Sequence, residues 1–294
     1  MSNLRIAIDQ MAPVLGDVKR NADYHAQTIA WAKKQKAGLL VFPELSLTGY
    51  LVRGMVPQIS MSPDDPTLTG LAKQAGSTAV ILGFVERAPD KQYYNAAAFL
   101  HSGKVQAVQR KLILPNYGMF EERRFFAAGH RIEPVDTPWG RLGIEICFDT
   151  LHPAMTYLHQ QAGVQILVTI SASPARTISA DGSMAGQEVF HIAQRANARL
   201  SGMLAVYVNR VGTEEGLSFW GGSEILDPMA NQLLALPEYE EARDVCDVDL
   251  DVIERARMSF PQLKEGRSDF VLQELWRLRM KSDAPASLGK DELS

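Results

Sequence analysis

Short apolar runs alternate along the chain with longer amphipathic stretches. Residues 4–8 (LRIAI) and 38–42 (GLLVF) read as buried strands, because brief continuous apolar runs fit strands covered on both faces. Between them, 18–34 carries apolar residues at helical spacing, and 66–75 repeats that pattern before a strand at 79–86. Residues 96–101 and 104–109 form two strand-like runs meeting at Ser102-Gly103, a hairpin signal. Further strands are expected at 141–147, 164–170, 203–208, 222–226, 232–236 and 244–249, with helices at 151–162 and 184–201. Strands and helices in alternation predict an α/β layered fold, and the hairpins add antiparallel pairing, so the sheets are expected to be mixed. No linker-like composition divides the chain. One domain is expected over 1–257, followed by an extension over 258–294 with a Phe/Leu/Trp-rich helical segment at 268–280 and a polar tail from 281 that frays.

Composition narrows the class. Hydrophobic residues make up 46% and charged residues 22%, enough apolar material for an ordinary globular core. The net charge of −4, with no Lys/Arg-dense stretch, argues against nucleic acid as a partner. No apolar stretch approaches the roughly 20 residues that span a bilayer, and the apolar run near Met1 is too short for a signal peptide. Only Cys147 and Cys246 are present, so a disulfide framework is not expected, and the six histidines lack metal-site spacing. The reading is a soluble, cytoplasmic protein.

Four residues carry candidate chemistry. Cys147 ends the apolar run LGIEIC and precedes a helix-like segment, where backbone N–H groups and a helix dipole would stabilise a thiolate and could bind an oxyanion. It could equally be an inert buried cysteine. Glu44 follows a strand that runs into Pro43, at the mouth where open α/β sheets place ligands. Buried, it could take a proton from a thiol; solvated, it would be a loop charge. Lys111, before the apolar LILP, could hold an anionic intermediate or lie on the surface. Glu122, within NYGMFEERRFF, could be no more than a helix-surface charge.

The segments FPELSLTGY (42–50), RKLILP (110–115) and GIEICFD (143–149), in this order and spacing, resemble the three core motifs of the nitrilase, or carbon–nitrogen hydrolase, superfamily. GGSEILDP (221–228) also looks like a late strand–turn segment of that family, and the resemblance covers roughly residues 4 to 250. It implies a four-layer α-β-β-α sandwich with two mixed β-sheets. It implies a cysteine hydrolase of linear amides in which Glu44 is general base, Lys111 the intermediate-stabilising cation, Cys147 the nucleophile and Glu122 the second glutamate, with Glu121 the neighbour it could be confused with. It further implies a reaction that needs no metal or organic cofactor, and a homodimer or larger homo-oligomer paired near 151–162. The stretch 115–126 and ISASP (170–174) look most like the glutaminase domain of NAD synthetases, but no SGGxDS-type loop follows and the chain ends early, so a complete synthetase is not expected. CFDTLHPA (147–154) departs from that branch toward amidases and carbamoylases, with Ala154 where a Glu is usual. Asp149 either orients the site or caps the next helix, with capping favoured. Candidate pocket residues are Tyr50, Tyr117, Phe148, Ser171, Ser173, Arg176 and Trp220. The alternatives left open are a nitrilase, an N-carbamoyl amidohydrolase, and a catalytically silent assembly or thiol-sensing protein.

Overall fold

The computed structural model describes residues 3–175, 185–261, 264 and 266–282. Strand β1 (Asn3–Gln10) leads into helix α1 (Val18–Lys34), which Asp17 starts by accepting the N–H of Arg20. Then come β2 (Leu39–Val41), the short α2 (Val56–Ile59), α3 (Pro66–Ala75), β3 (Ala79–Arg87), β4 (Tyr93–His101) and β5 (Lys104–Arg110). A short α4 (Glu122–Phe125) precedes β6 (Val135–Thr137), β7 (Gly140–Ile146), α5 (Pro153–Gln161), β8 (Ile166–Ser171), α6 (Ala185–Ser201) and β9 (Leu204–Asn209). The chain continues with β10 (Val211–Glu214), β11 (Leu217–Trp220), β12 (Glu224–Leu226), β13 (Gln232–Ala235), β14 (Ala242–Asp249), α7 (Asp251–Ser259) and α8 (Ser268–Ser282).

The first sheet has the order β14-β1-β2-β3-β4-β5, and the second β13-β12-β9-β8-β7-β6. Each is parallel at its centre (β1-β2-β3 and β7-β8-β9) and antiparallel at its flanks, as the mixed pattern predicts. The period-2 rule explains the layering. Leu4, Ile6 and Ile8 of β1 face the second sheet, meeting Ile144, Ile146, Val168 and Val206, while Ala7 faces outward. The outer face of the first sheet is covered by Ile29 of α1 and Leu68, Leu71 and Ala72 of α3. Helices α5 and α6 pack on each other, and α6 covers β9 and β12 through Ala198 against Ala205 and Leu226. Four layers result, α-β-β-α.

The boundaries of α1 and α3 are those of the sequence reading. The β10–β11 hairpin and β6 are not anticipated there, because strands of three or four residues show too little alternation to read, and the nine-residue helix α7 is not anticipated either. The helix expected at 268–280 is α8, and its Phe270, Leu275 and Trp276 stay more than half exposed. No helix among the described residues is long and apolar enough to cross a membrane.

Candidate active site

Both sheets deliver residues to one end of the sandwich. The 43–50 loop after β2 is buried throughout, and Gly83 of β3 is what admits it. A Cβ at Gly83 would lie 2.1 Å from the Leu45 nitrogen and 2.7 Å from the Glu44 carbonyl carbon, so any larger residue would displace Glu44. Lys111 lies one residue beyond β5, its backbone N–H donating to the Asn95 carbonyl at 2.8 Å. Glu122 opens α4. Cys147 follows β7 with φ +50°, a left-handed conformation uncommon for residues with a Cβ and often found at functional turns.

The four candidates converge. Lys111 Nζ donates to Glu44 Oε1 and to Glu122 Oε1, both at 2.7 Å, with all three side chains buried. Glu44 Oε1 also accepts Asn95 Nδ2 at 2.7 Å, and Oε2 accepts the Ala172 N–H at 2.7 Å. A carboxylate oxygen has two lone pairs, so Oε2 can still accept a proton. Tyr50 donates its hydroxyl to Glu122 Oε1 at 2.7 Å, whereas buried Glu122 Oε2 has no protein partner. Glu121, the alternative to Glu122, points to Arg124 at the surface. Ser171 Oγ donates to Cys147 Sγ at 3.3 Å.

Electrostatics follow from this packing. Burial alone would lower Lys111, but Glu122 and Glu44 outweigh it and hold the ammonium above its ordinary range. Burial raises the Glu122 carboxyl, with Lys111 opposing. Burial also pushes the Cys147 thiol well up, and Glu44 adds to the shift, against weaker pulls from Lys111 and Ser171. The expected thiolate at a helix N-terminus is therefore corrected. The residues after Cys147 form a 3-10 turn, Cys147–Leu151, and α5 starts only at Pro153, so no α-helix terminus underlies the sulfur. Both features favour the thiol form of Cys147 over the thiolate.

Asp149 is the second correction. It does not cap α5; its carboxylate accepts the N–H groups of Leu112 (3.2 Å), Ile113 (2.8 Å) and Ile146 (3.2 Å). It thereby ties the backbone beyond Lys111 to the strand end that carries Cys147. Burial raises its carboxyl to about 7.

A cavity of about 370 Å³ opens onto Cys147. Of the candidate pocket residues, Tyr50, Tyr117, Phe148 and Ser173 line it. Ser171 is fully buried against the sulfur rather than in the cavity wall. Trp220 is corrected: it is fully buried between Tyr207 and His191, with ring centroids 6.0 and 5.3 Å away, and does not line the cavity. Arg176 lies outside the described residues. Phe120, Leu151, Val189 and Phe190 also line the cavity and are missed from sequence; for Val189 and Phe190 on α6 the reason is that helical apolar residues look alike whether they face a core or a pocket. Asn95 is missed too, although an amide at the start of the buried run 94–100 is a readable signal.

The Arg210–Glu214 pair, side chains 1% and 3% exposed, is a further unanticipated part. Glu214 accepts the N–H groups of Tyr50 (2.9 Å) and Leu51, so the β10 hairpin holds the backbone whose Tyr50 hydroxyl reaches Glu122. Removing one member of a buried pair strands the other's charge, so Glu214→Ala is expected to cost roughly 3–5 kcal/mol. Urea unfolding checks this; a loss below about 1 kcal/mol, the value of an exposed pair, would refute the anchoring role.

Among the described residues no group of three or more His, Cys, Asp or Glu is placed to hold a metal ion. The model for carbon-nitrogen hydrolases matches residues 5–258. A glutamine-dependent NAD(+) synthetase of Thermotoga maritima is 31% identical over 88% of this chain, which spans only 44% of that relative's length. An (R)-stereoselective amidase of Pseudomonas sp. is 30% identical, covering 90% of this chain and 92% of its own. The structure of a glutamate mutant of an amidase from Nesterenkonia sp., with the acetamide moiety of fluoroacetamide on its active-site cysteine, superposes with a TM-score of 0.75 at 26% identity, covering 93% of this chain and 96% of that one. A family match over most of the chain, a two-sheet sandwich, and a cysteine beside a Glu–Lys–Glu cluster converge on one statement: the chain belongs to the carbon-nitrogen hydrolase family.

Proposed function

We propose that this chain is an amidase that hydrolyses a small linear amide through a thioester on Cys147. The observation that carries the reading is the buried Glu44–Lys111–Glu122 cluster beside Cys147, which opens onto a cavity. Glu44 takes the thiol proton as the sulfur attacks the amide carbonyl carbon. Lys111 and the backbone N–H of Phe148 hold the oxyanion that forms. The carbon–nitrogen bond breaks, the nitrogen leaves with the proton carried by Glu44, and an acyl thioester remains. Water then loses a proton to Glu44 and attacks the thioester; the carbon–sulfur bond breaks, and the thiol recovers that proton. Glu122, with one oxygen held by Lys111 and Tyr50, offers its unpartnered oxygen to an N–H of the substrate.

Ammonia release from a panel of primary amides tests the reading, with Cys147→Ala expected to abolish it. Equal release by the two proteins would overturn it. A second reading, a glutaminase that supplies ammonia to a synthetase, is favoured by the NAD(+) synthetase relatives and requires L-glutamine to be the preferred member of that panel. The proposal also places the enzyme in the cytoplasm as a homodimer or larger assembly, supported by two free thiols and by exposed Leu158, Ile192 and Leu200 on adjacent α5 and α6.

A further inference from the structure

Strands β8 and β9 run parallel, and their last paired residues are Ser171 and Asn209. From that pair onward the chain leaves the sheet and borders the site. Ser171 Oγ donates to Cys147 Sγ at 3.3 Å, the Ala172 N–H donates to Glu44 Oε2 at 2.7 Å, and Ser173 lines the cavity. One three-residue stretch thus touches the nucleophile, the base and the cavity. An N–H given to a carboxylate is not given to a strand ladder, so the peptide groups around Ala172 need another hold.

The Asn209 side chain supplies it. It is fully buried, and its amide carries an acceptor and a donor in one plane, the pair that a strand edge would offer. Oδ1 accepts the Ser173 N–H at 2.8 Å, while Nδ2 donates to the Gly221 carbonyl at 3.1 Å and, at a longer 3.4 Å, to the Ser173 carbonyl. On the other side of Ala172, the Ser171 carbonyl accepts the Arg210 N–H at 3.1 Å. Ala172 therefore sits between two fixed neighbours with its N–H aimed at Glu44. Behind the clamp, the Asn209 N–H donates to Ser223 Oγ at 3.0 Å, and that hydroxyl donates to Gln10 Oε1 of β1 at 2.8 Å, so both sheets support it.

Resting on the amidase reading, in which Glu44 is the base, we infer that Asn209 is a positioning residue for that base. It acts through the Ala172 N–H, which fixes Glu44 Oε2 relative to the sulfur. Placement matters because a shift of about an ångström can cost on the order of a hundredfold in rate. Leucine shares the branched shape of asparagine but neither donates nor accepts a hydrogen bond. Asn209→Leu is accordingly expected to lower kcat at least thirtyfold on the best primary amide of the panel, with KM within threefold of wild type. A raised KM with unchanged kcat would mean that Asn209 only shapes the cavity through Ser173, and would overturn the inference. Ser223→Ala is the control for general loosening, since it removes support behind the clamp and leaves the amide in place. It should lower the urea midpoint and keep kcat within twofold; an equal fall in kcat in both variants would count against a positioning role.

Alkylation of Cys147 by iodoacetamide gives a second measure that needs no amide substrate. Asn209→Leu is expected to slow alkylation at least fivefold when Glu44 is present and less than twofold in the Glu44→Gln background. A residue that acts through Glu44 has nothing left to act on there, because the bond to the Ala172 N–H is already lost. Additive effects would overturn the inference. Should Asn209→Leu not fold, Asn209→Asp replaces it in the same cycle. That variant keeps the acceptor for the Ser173 N–H but turns an oxygen toward the two carbonyls, and it should slow alkylation at least threefold, again only with Glu44 present. A non-additive cycle in a protein that hydrolyses no amide would uphold the placement of Glu44 by Asn209 and sink the amidase reading. Hydrolysis with an additive cycle would do the reverse.

Discussion

Lys111→Met is expected to reduce kcat/KM by at least a thousandfold and to destabilise the fold by roughly 3–5 kcal/mol, the usual cost of breaking a buried ion pair. The ammonium is the shared partner of two buried carboxylates. Methionine fills the volume but leaves Glu44 and Glu122 facing each other without a counter-charge. The activity loss has two sources: an oxyanion donor is worth about 10²–10³ in kcat, and the two glutamates lose the group that fixes their geometry. The stability loss should depend on pH. Without the cation, burial and the neighbouring Glu44 carboxylate raise the folded-state pKa of the Glu122 carboxyl above the unfolded value near 4.3. Stability contributed by a raised acid is fully present below its unfolded pKa and is lost as pH rises through the folded one. The gap between variant and wild type should thus be smaller at pH 5 than at pH 8, measured by urea unfolding at both. A gap that is constant, or larger at pH 5, would mean that the carboxylates are not the groups left uncompensated.

Glu44→Gln carries the second large effect. Cys147 rests as a thiol because burial, and then Glu44, oppose its ionisation. In the mechanism proposed above the glutamate removes that proton during attack, protonates the leaving nitrogen and activates water. General acid–base assistance is worth about 10²–10⁴ per step, so turnover is expected to fall about ten-thousandfold. The glutamine side chain is close in size, and with its oxygen at the Oε1 position it keeps the contacts with Lys111 and Asn95 while losing the one with the Ala172 N–H, so the fold should be retained at a modest cost. Alkylation of Cys147 by a haloacetamide, which needs no proton delivered to a leaving nitrogen, should persist at a reduced rate and be visible by intact mass. Turnover within tenfold of wild type would remove Glu44 from the role of base. Loss of both turnover and alkylation, with the fold retained, would point instead to a disordered thiol.

These effects arise from one geometric circumstance. Each sheet ends at the same edge of the sandwich, Glu44 and Lys111 beyond β2 and β5 and Cys147 beyond β7, and Asp149 binds the backbone on both sides of that seam. The Arg210–Glu214 hairpin supports it from another direction through Tyr50. Small displacements of either support should reach the cluster, because a buried network has no water to absorb a lost contact.

How much of this was written in the sequence depends on the range of the interaction. The helices Val18–Lys34 and Pro66–Ala75 are legible to the residue, since their periodicity and capping residues Asp17 and Asp65 act within a few positions along the chain. The long inner strands are legible because two-sided burial demands continuous apolar runs. Glu44, Lys111, Glu122 and Cys147 are legible as candidates through the motifs around them, and Glu122 rather than Glu121 through its place within one. What the local pattern could not carry is the protonation state of Cys147, which depends on whether an α-helix begins beneath it and on a carboxylate 103 positions away in sequence. Nor could it carry the anchoring of Tyr50 by Glu214, 164 residues distant, or the absence of Trp220 from the cavity wall. Sequence by itself determined which elements form and which residue types stand at their ends, because those follow from neighbours along the chain. Only the tertiary structure decided which charges are paired and which apolar side chains line a cavity instead of a core, because burial and electrostatic coupling depend on distance in space.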